Sequence, residues 1–545
     1  MDSAEHPNDL QSVLRMNAEL VDVVNQLQKD NLNLREELEL YRRKLFGRSS
    51  ERHIDDPSQL RLFDQGLAPV EADEEPEDDG KPKGGRRSRK KKSEKIPAHL
   101  PREVVDADVD PSKRMCPCCG DEMPIIATDI IERLDMIPAK MFVIEIRRPK
   151  RACGKCKDTV VQTPAGEEPG GPTTPIAGSD YGFGIYTQLI VSKFADHMPL
   201  YRCEDLFARS GLLIPRNTQV TMLANIAGLI APLLGLMSDR VRRGCVLGVD
   251  DTSVRMQDAS LPGKMRTARF WLYRGQEDDP YNVFAFHESR SRDGPASFLE
   301  SFTGHACVDA YGVHEGVYLG SDGRIRASCC NAHGRRKFVE AKPNDAVAAA
   351  QALSFYRGLY DIEDRVRDAS AEERLAVRQS DSLPIALEFR AWLCDKNDDP
   401  TVLPKSSLSK AVRYVLNQWD EMMAFLSNGN LPIDNNATEN ELRRLTIGRK
   451  NWLFVGSADG GRVAASMYTL VSSAARHHVD VWAYVNDVLR QLASGLTDYE
   501  SLLPDVWREH HPESIRTYRD QEKKDRKLTN QQRRTRRRLA QEIIR

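Results

Sequence analysis

The stretch "CVLGVDDTSVRM", residues 245–256, marks the point where short β-rich runs replace the helical patterns before it. Its apolar and β-branched residues predict a strand. The runs that follow predict two more strands, a helix, a strand, and a strand that continues into a helix, at 268–275, 281–288, 295–302, 305–311 and 325–341. Three meandering strands followed by alternating helices and strands is the order of an RNase H-like α/β fold, so we predict such a core over residues 241–475.

A helical insertion interrupts this predicted core. Residues 343–428 are helical in pattern throughout, and "IDNNATENELRR", residues 433–444, follows them directly. The second stretch predicts a helix that begins near Asn436 and returns the chain to the core. Asp434 precedes its first turn and suits an N-cap.

Three carboxylates fall where an RNase H-like sheet would bring them together. Asp250 lies at the end of the first predicted strand, Asp309 at the end of the fourth, and Glu439 on the first helix after the insertion. Hard divalent cations prefer oxygen ligands and often share them with substrate phosphate. Two such ions about 4 Å apart can activate an attacking hydroxyl and stabilise a leaving oxygen. Each carboxylate alone is typical of a protein surface, but together they predict a Mg²⁺ or Mn²⁺ centre.

Paired cysteines predict a separate, structural metal site within residues 110–160. "CPCCG" and "CGKC" each hold a Cys-x-x-Cys pair, and two such pairs make a tetrahedral zinc site with the ligands Cys116, Cys119, Cys153 and Cys156. Cys118 could compete as a ligand but breaks the spacing, and reduced free cysteines are the alternative. Four thiolates leave no open position, which argues against a catalytic zinc.

The N-terminal sequence predicts a segment that pairs protein chains and, after it, a flexible linker. Residues 10–47 carry a heptad seam with Asn31 at an a position, which favours a dimeric coiled coil and hence a homodimer or higher oligomer. An amphipathic helix packed on its own chain is the alternative. Residues 48–100 combine an acidic run with a basic run and predict a disordered, charged linker. The basic run is either a phosphate contact or a solubilising tether.

Further segments predict DNA contacts. Residues 175–240 are helical with a Ser-Gly break and suit a helix-turn-helix, although any helical hairpin gives the same pattern. Residues 476–520 predict a C-terminal helical region, and the basic tail at 521–545 a flexible phosphate-binding arm. Candidate DNA-binding side chains beside the carboxylates are Arg335, Arg336, Lys337, Arg443, Arg449 and Lys450.

Three of these basic side chains, and one possible metal pair, have plainer alternatives. Arg443 could pair with Glu439 on the same helical face. Arg449 and Lys450 could belong to a solvated turn. Cys330 and His333 have a spacing fit for a metal, but a core thiol and a helix-start histidine are favoured for that pair.

Length and composition bound the remaining possibilities. The chain has 545 residues, so several domains are expected, and its net charge of −2 hides strong local segregation of charge. No N-terminal signal pattern and no uninterrupted apolar run of spanning length is evident. We therefore predict a cytoplasmic, nucleoid-associated protein with no membrane partner.

The ordered motifs resemble the transposases of the insertion-sequence-66 family (TnpC type) over nearly all of the chain. The stretches that carry this resemblance are "KLFGRSSER", "CPCCG" with "CGKC", "VSKFADHMPLYR" (191–202), "VDDTSV", "VDAYGV", "CCNAHGRRKF" (329–338) and "IDNNATENELRRLTIGRKNWLFVGS" (433–457). Two positions depart from the family pattern. Asp251 stands where the family usually has Glu, and Asn331 stands where it has Trp.

The resemblance implies a DDE catalytic core with its triad on Asp250, Asp309 and Glu439. It further implies cleavage at the ends of a mobile element and transfer of the freed 3′-hydroxyl into target DNA. The expected partners are terminal inverted repeats, target DNA and possible small accessory proteins of the same element. Two alternatives stay open: a DNA-binding regulator or inactive remnant without catalysis, and a structure-specific nuclease that cuts without joining.

Overall fold

A computed structural model describes residues 141–152, 160–161 and 171–516, except 259–262, 277–278, 292 and 310–319, with a few helical residues between 16 and 34 and between 525 and 529. The chain divides into one unit of residues 67–143 and a second that holds 1–66 and 144–545. Only the second is described at length. The predicted linker, the four zinc-site cysteines, most of the predicted coiled coil and most of the basic tail lie outside the described residues.

The described elements make a mixed α/β protein. The strands are β1 Arg151–Ala152, β2 Val160–Val161, β3 Val246–Gln257, β4 Met265–Gly275, β5 Asn282–His287, β6 Gly304–Val308, β7 Ile325–Cys329 and β8 Phe454–Val455. The helices are α1 Phe183–Ile190, α2 Leu200–Arg209, α3 Arg216–Arg243, α4 Asp293–Leu299, α5 Asn331–Ala341, α6 Ala346–Arg365, α7 Ala371–Val377, α8 Leu383–Asp398, α9 Ser407–Leu416, α10 Trp419–Met423, α11 Asn436–Trp452, α12 Ala458–Arg476, α13 Val481–Ala493 and α14 Pro504–His510. Short π-helical segments, Val191–Ala195 and Arg378–Ser382, continue α1 and precede α8.

The central sheet has the strand order β5-β4-β3-β6-β7, and β8 pairs with the far end of β3. β3, β4 and β5 form an antiparallel meander, whereas β6 and β7 run parallel to β3. Parallel pairs need a crossover connection, and α4 lies in the crossover from β5 towards β6. β1 and β2 pair antiparallel in a separate two-stranded sheet, and Cys153 and Cys156 lie between them in the sequence.

The edge strand β5 is covered by α12. Backbone N–H groups of Asn282 and Phe284 donate to the hydroxyls of Ser473 (3.1 Å) and Thr469 (2.9 Å). An uncovered edge strand would offer these donors to another chain. Hydroxyl side chains at two points of α12 therefore close this edge of the sheet and hold α12 in place.

Helices α6 to α10 fill residues 343–428, between the strands and α11. Arg378 anchors the base of this insertion, because its buried guanidinium donates to both carboxylate oxygens of Glu363 at 2.8 and 2.6 Å. The same guanidinium donates to the carbonyls of Phe425 and Asn428. A buried arginine with this many acceptors is fully paired, so it ties the end of α6 to the last residues of the insertion.

Helix α3 corrects the expectation that the chain has no apolar run of spanning length. It has 28 residues, and an 18-residue window reaches a mean hydropathy of 1.9, so by length and composition alone it could cross a membrane. It also contains Pro232. Its side chains Ile226, Leu233 and Met237 are fully buried, and the helix contacts α12, β4 and β5. Packing inside the described fold therefore accounts for its apolar stripe.

Candidate metal centre

The parallel pair of β3 and β6 brings the first two carboxylates to one place. The paired residues include Gly248 of β3 and Cys307 of β6. Asp250 lies two residues beyond Gly248 and Asp309 two residues beyond Cys307, so both carboxylates lie at the same end of this pairing, and the charge of Asp309 acts on Asp250. Asp309 follows β6 directly, as predicted. Asp250 is not at the end of its strand, because β3 continues to Gln257 in its pairing with β4.

Helix α11 brings the third carboxylate. Glu439 lies in its first turn, and the helix packs against β3 close to Asp250. Gly248 makes this close packing possible, since a Cβ there would lie 2.2 Å from the Thr438 hydroxyl oxygen. Any larger residue at this position would push the start of α11 away from the strand.

The charges of Asp309 and Glu439 act on Asp250. Burial is the main cause that raises the pKa of Asp250 to about 8, and the charges of Asp309 and Glu439 act in the same direction. Burial also raises the pKa of Glu439, although His333 and Arg336 beside it act to lower that pKa. Buried like charges of this kind disfavour their own ionisation and favour a cation between them. The donor set is all oxygen, which fits Mg²⁺ or Mn²⁺.

Asp251 has a different environment from Asp250. Successive side chains of a strand point to opposite faces. The Asp251 carboxylate, with 6% of its side chain exposed, accepts from Arg269 at 2.5 Å and Arg290 at 3.2 Å. Its charge is thus balanced by two guanidinium groups, while the carboxylate beside Asp309 and Glu439 is that of Asp250.

The start of α11 differs from the expected cap. The N-cap position is Asn435, and Asp434 lies one residue earlier. Asp434 accepts from the Asn436 backbone at 3.1 Å and from the Tyr360 hydroxyl at 2.9 Å. The Asn435 side chain makes no cap bond and donates instead to the Val249 carbonyl at 3.1 Å. This bond ties the start of α11 to the strand residue next to Asp250.

Asn331, the position that departs from the family pattern, is fully buried. Its side-chain amide donates to the carbonyls of Met422 at 2.7 Å and Ile433 at 3.1 Å. It therefore joins the start of α5 to the end of the insertion and to the segment before α11. Sequence reasoning missed both this role and that of Asn435, because neither amide belongs to a local pattern.

The predicted DNA-binding side chains fall into two groups. Arg336, Arg443 and Lys450 are exposed, while the half-buried Lys337 lies 3.7 Å from Glu340 and over the Tyr414 ring. Two others point inward. Arg335 is 8% exposed. Arg449 donates to the Thr252 hydroxyl at 2.9 Å and to the Ser253 carbonyl, which fastens the end of α11 to β3.

A second set of metal donors lies next to Glu439. Among the described residues, Cys330, His333 and Glu439 have ligand atoms that all lie within 4.8 Å of one another, and Asp250 and Asp309 are not part of this group. His333 Nδ1 lies 3.9 Å from Glu439 Oε1. Burial raises the pKa of the Cys330 thiol. The thiol is thus a neutral core group unless a cation replaces its proton.

Three family models match the chain. The model described as Transposase IS66 family matches residues 178–463, which include all three carboxylates. A zinc-finger binding domain of transposase IS66 matches residues 113–157, the segment with the paired cysteines. A model described as Transposase C of IS166 homeodomain matches residues 33–105.

Individual relatives cover most of the chain. The uncharacterized protein y4jD of Sinorhizobium fredii is 33% identical over 506 residues, which is 89% of this chain and 96% of that protein. A second uncharacterized protein of the same organism, y4qI, is 31% identical over 87% of this chain and 88% of its own length. Among solved structures, the Drosophila P element transposase strand transfer complex matches 53% of this chain and 92% of its own, with 10% identity and a TM-score of 0.30. That TM-score is too low to support an argument about the fold.

Proposed function

This chain belongs to the IS66 family of transposases, and from that premise we propose that it catalyses DNA transposition with a DDE triad of Asp250, Asp309 and Glu439. The observation that carries the proposal is the convergence of these carboxylates: α11 packs against β3, and the charges of Asp309 and Glu439 both act on Asp250. They come from two parallel strands and a helix separated by a helical insertion. The sheet order, an antiparallel meander followed by two parallel strands, supports an RNase H-like core.

The three carboxylates would hold Mg²⁺ or Mn²⁺. When bound, the metal would activate the attacking hydroxyl and stabilise the leaving oxygen in each phosphodiester step. The chain's own residues set the geometry. Gly248 lets α11 approach β3, and Asn435 fixes the start of α11 to the Val249 carbonyl. A group placed this firmly needs little rearrangement when substrate binds.

The exposed cations beside the centre would hold the DNA backbone. Arg336 already acts on the pKa of Glu439 through its charge, so a phosphate at the centre would lie within its field. Arg443, Lys450 and Lys337 extend this positive surface. Contacts of this kind position DNA without reading its sequence. Because Arg335 and Arg449 point inward, we leave them out of the proposed DNA surface.

Recognition of the element ends would fall to the other segments. The zinc-binding segment, held by Zn²⁺ at the four cysteines, and helices α1 to α3 would contact the terminal inverted repeats. The coiled coil would pair two protomers on two ends. The protein would act in the cytoplasm on nucleoid DNA, with small accessory proteins of the element as possible partners.

A cleavage assay on DNA that carries an element end tests the proposal. We expect Mg²⁺-dependent nicking by the parent, and a loss of at least about 100-fold in Asp309→Asn and Glu439→Gln, the order of magnitude for removal of one charge-stabilising group. Glu340→Gln, at an exposed position of α5, is the matched control and should cut normally. If the triad variants cut as well as the parent, the DDE triad proposal fails. A parent that binds element-end DNA but does not cut it would indicate a DNA-binding regulator or an inactive remnant. A nick without strand-transfer product would indicate a nuclease.

A further inference from the structure

We propose that Cys330, His333 and Glu439 form a second metal site, for a cation of the zinc class, that shares Glu439 with the carboxylate centre. This site differs from the four-cysteine site in the N-terminal half of the chain. The binding claim stands on the geometry of three side chains. Only its consequence for DNA cleavage rests on the proposed function.

The three donors converge from two elements. Cys330 is the residue at the N-terminal cap of α5, His333 lies in the first turn of the same helix, and Glu439 lies in the first turn of α11. Their donor atoms lie within 4.8 Å of one another. A tetrahedral zinc ion binds its ligands at about 2.0 to 2.3 Å, so small side-chain rotations would bring all three into range.

The surroundings of the donors suit a bound cation. Cys330 is 2% exposed, and its sulfur accepts the backbone N–H of Asn435 at 3.2 Å, which would help to hold a thiolate. His333 Nδ1 is buried, and within the described part of the chain it has no hydrogen-bond partner. A buried ring nitrogen that faces a carboxylate and a sulfur, and is bonded to neither, is placed to bind a metal.

The donor chemistry selects the kind of metal. Sulfur, imidazole nitrogen and carboxylate oxygen together suit Zn²⁺ and related ions, whereas Mg²⁺ takes oxygen ligands. Three protein ligands would leave a fourth position for water or substrate. Because Glu439 belongs to both sites, occupancy of the zinc site would withdraw a ligand from the Mg²⁺ centre. Added Zn²⁺ should therefore lower Mg²⁺-dependent cleavage.

Zinc content of the purified full-length protein tests the site. We expect two zinc ions per chain in the parent, one from the four-cysteine segment and one from this site. Cys330→Ala and His333→Gln should each lose one ion. Cys329→Ala is the matched control, since Cys329 is the adjacent buried cysteine outside the donor group and should keep both. Equal zinc in the parent and in both site variants would overturn the proposal.

Two further measurements keep this result clear. Circular dichroism shows whether a variant has lost its fold as well as its metal. If Cys330→Ala fails to fold, His333→Gln still tests the site, because it changes only a partly exposed side chain. The second measurement is Zn²⁺ inhibition of cleavage, which we expect to weaken in His333→Gln. If Asp309→Asn cuts DNA normally, the proposed function fails while the zinc content still decides this site. Conversely, equal zinc in the parent and the site variants would overturn the second metal site without contradicting the proposed DDE triad.

Discussion

Asp250 and Asp251 are neighbours in the sequence with opposite surroundings. Asp251 is paired with two guanidinium groups on one face of the sheet, and Asp250 lies with two other carboxylates on the opposite face. The residue types alone do not decide which of the two aspartates joins the carboxylate cluster, because that depends on which face of β3 meets β6 and α11. The strand periodicity then separates the two residues.

The buried Asp250 predicts a pH-dependent stability. Its pKa is raised from 3.8 to about 8, so between these values the folded state keeps a proton that the unfolded state releases. The contribution of Asp250 to the free energy of unfolding, measured without added Mg²⁺, should therefore be largest below pH 4 and be lost as the pH rises towards 8. Asp250→Asn should lack this slope and exceed the parent at pH 8 by at least about 1.4 kcal/mol, the equivalent of one pKa unit.

Urea unfolding at pH 5 and pH 8 measures this effect. Mg²⁺ should raise the stability of the parent at pH 8 and leave Asp250→Asn nearly unchanged, because a ligand stabilises only the state that binds it. Identical pH slopes in parent and variant would show that the Asp250 carboxyl titrates normally.

Asp251→Asn should behave in the opposite way. It removes the negative charge between Arg269 and Arg290, which are themselves only partly exposed. We expect a loss of about 2 kcal/mol in unfolding free energy, below the usual cost of breaking a fully buried pair. Cleavage measured below the unfolding temperature should persist. If Asp251→Asn is fully stable but does not cut DNA, the catalytic carboxylate is Asp251 and not Asp250.

At the scale of elements, helix α11 is held on β3 at three points. Thr438 meets Gly248, Asn435 donates to the Val249 carbonyl, and Arg449 donates to Thr252 and the Ser253 carbonyl. These contacts run along the strand on both sides of Asp250. The helix therefore fixes Glu439 relative to Asp250 through the backbone of β3.

Gly248→Ala tests this close approach. Its Cβ would meet the Thr438 hydroxyl oxygen at 2.2 Å, so we expect a loss of about 1 to 3 kcal/mol and reduced cleavage. Thr438→Ala in the same chain removes the clashing oxygen and should restore much of both. Gly228→Ala, in open space on α3, is the control and should not destabilise. Full stability of Gly248→Ala would mean that α11 can shift freely.

The elements of the core were largely predictable, and their contacts were not. Apolar and β-branched runs identified every strand of the meander and both parallel strands, because that pattern is local. The continuation of β3 beyond Asp250 depends on its pairing with β4. The bonds of Asn331 and Asn435 depend on carbonyl groups that are distant in sequence. Helix α3 does not read as one uninterrupted apolar run because Thr221, Asn225 and Pro232 lie within its apolar stretch.

At the scale of the whole molecule, the N-terminal seam predicts pairing of two chains. Leu20 and Leu27 lie seven residues apart on the heptad seam, and Val24 lies seven residues before Asn31 on the adjoining seam position. Residues 16–24 are helical, and Leu20, Val24 and Leu27 are exposed. Leu20→Asp together with Leu27→Asp should convert a dimer into a monomer in light scattering, since charges replace the apolar seam. Val23→Asp, also exposed but off the seam, should stay dimeric. If the unsubstituted protein is already monomeric in light scattering, the proposed dimeric coiled coil is wrong.

The helical insertion has a consequence for the order in which the protein is made. Glu439 follows Asp309 by roughly 130 residues. At about 5 to 20 residues per second, a ribosome needs roughly 7 to 26 s to supply it. During that interval β3 has no α11 against it, β5 has no α12 over its edge, and the first two carboxylates have no third partner. The cluster of Asp250, Asp309 and Glu439 is thus complete only after the whole insertion has been synthesised.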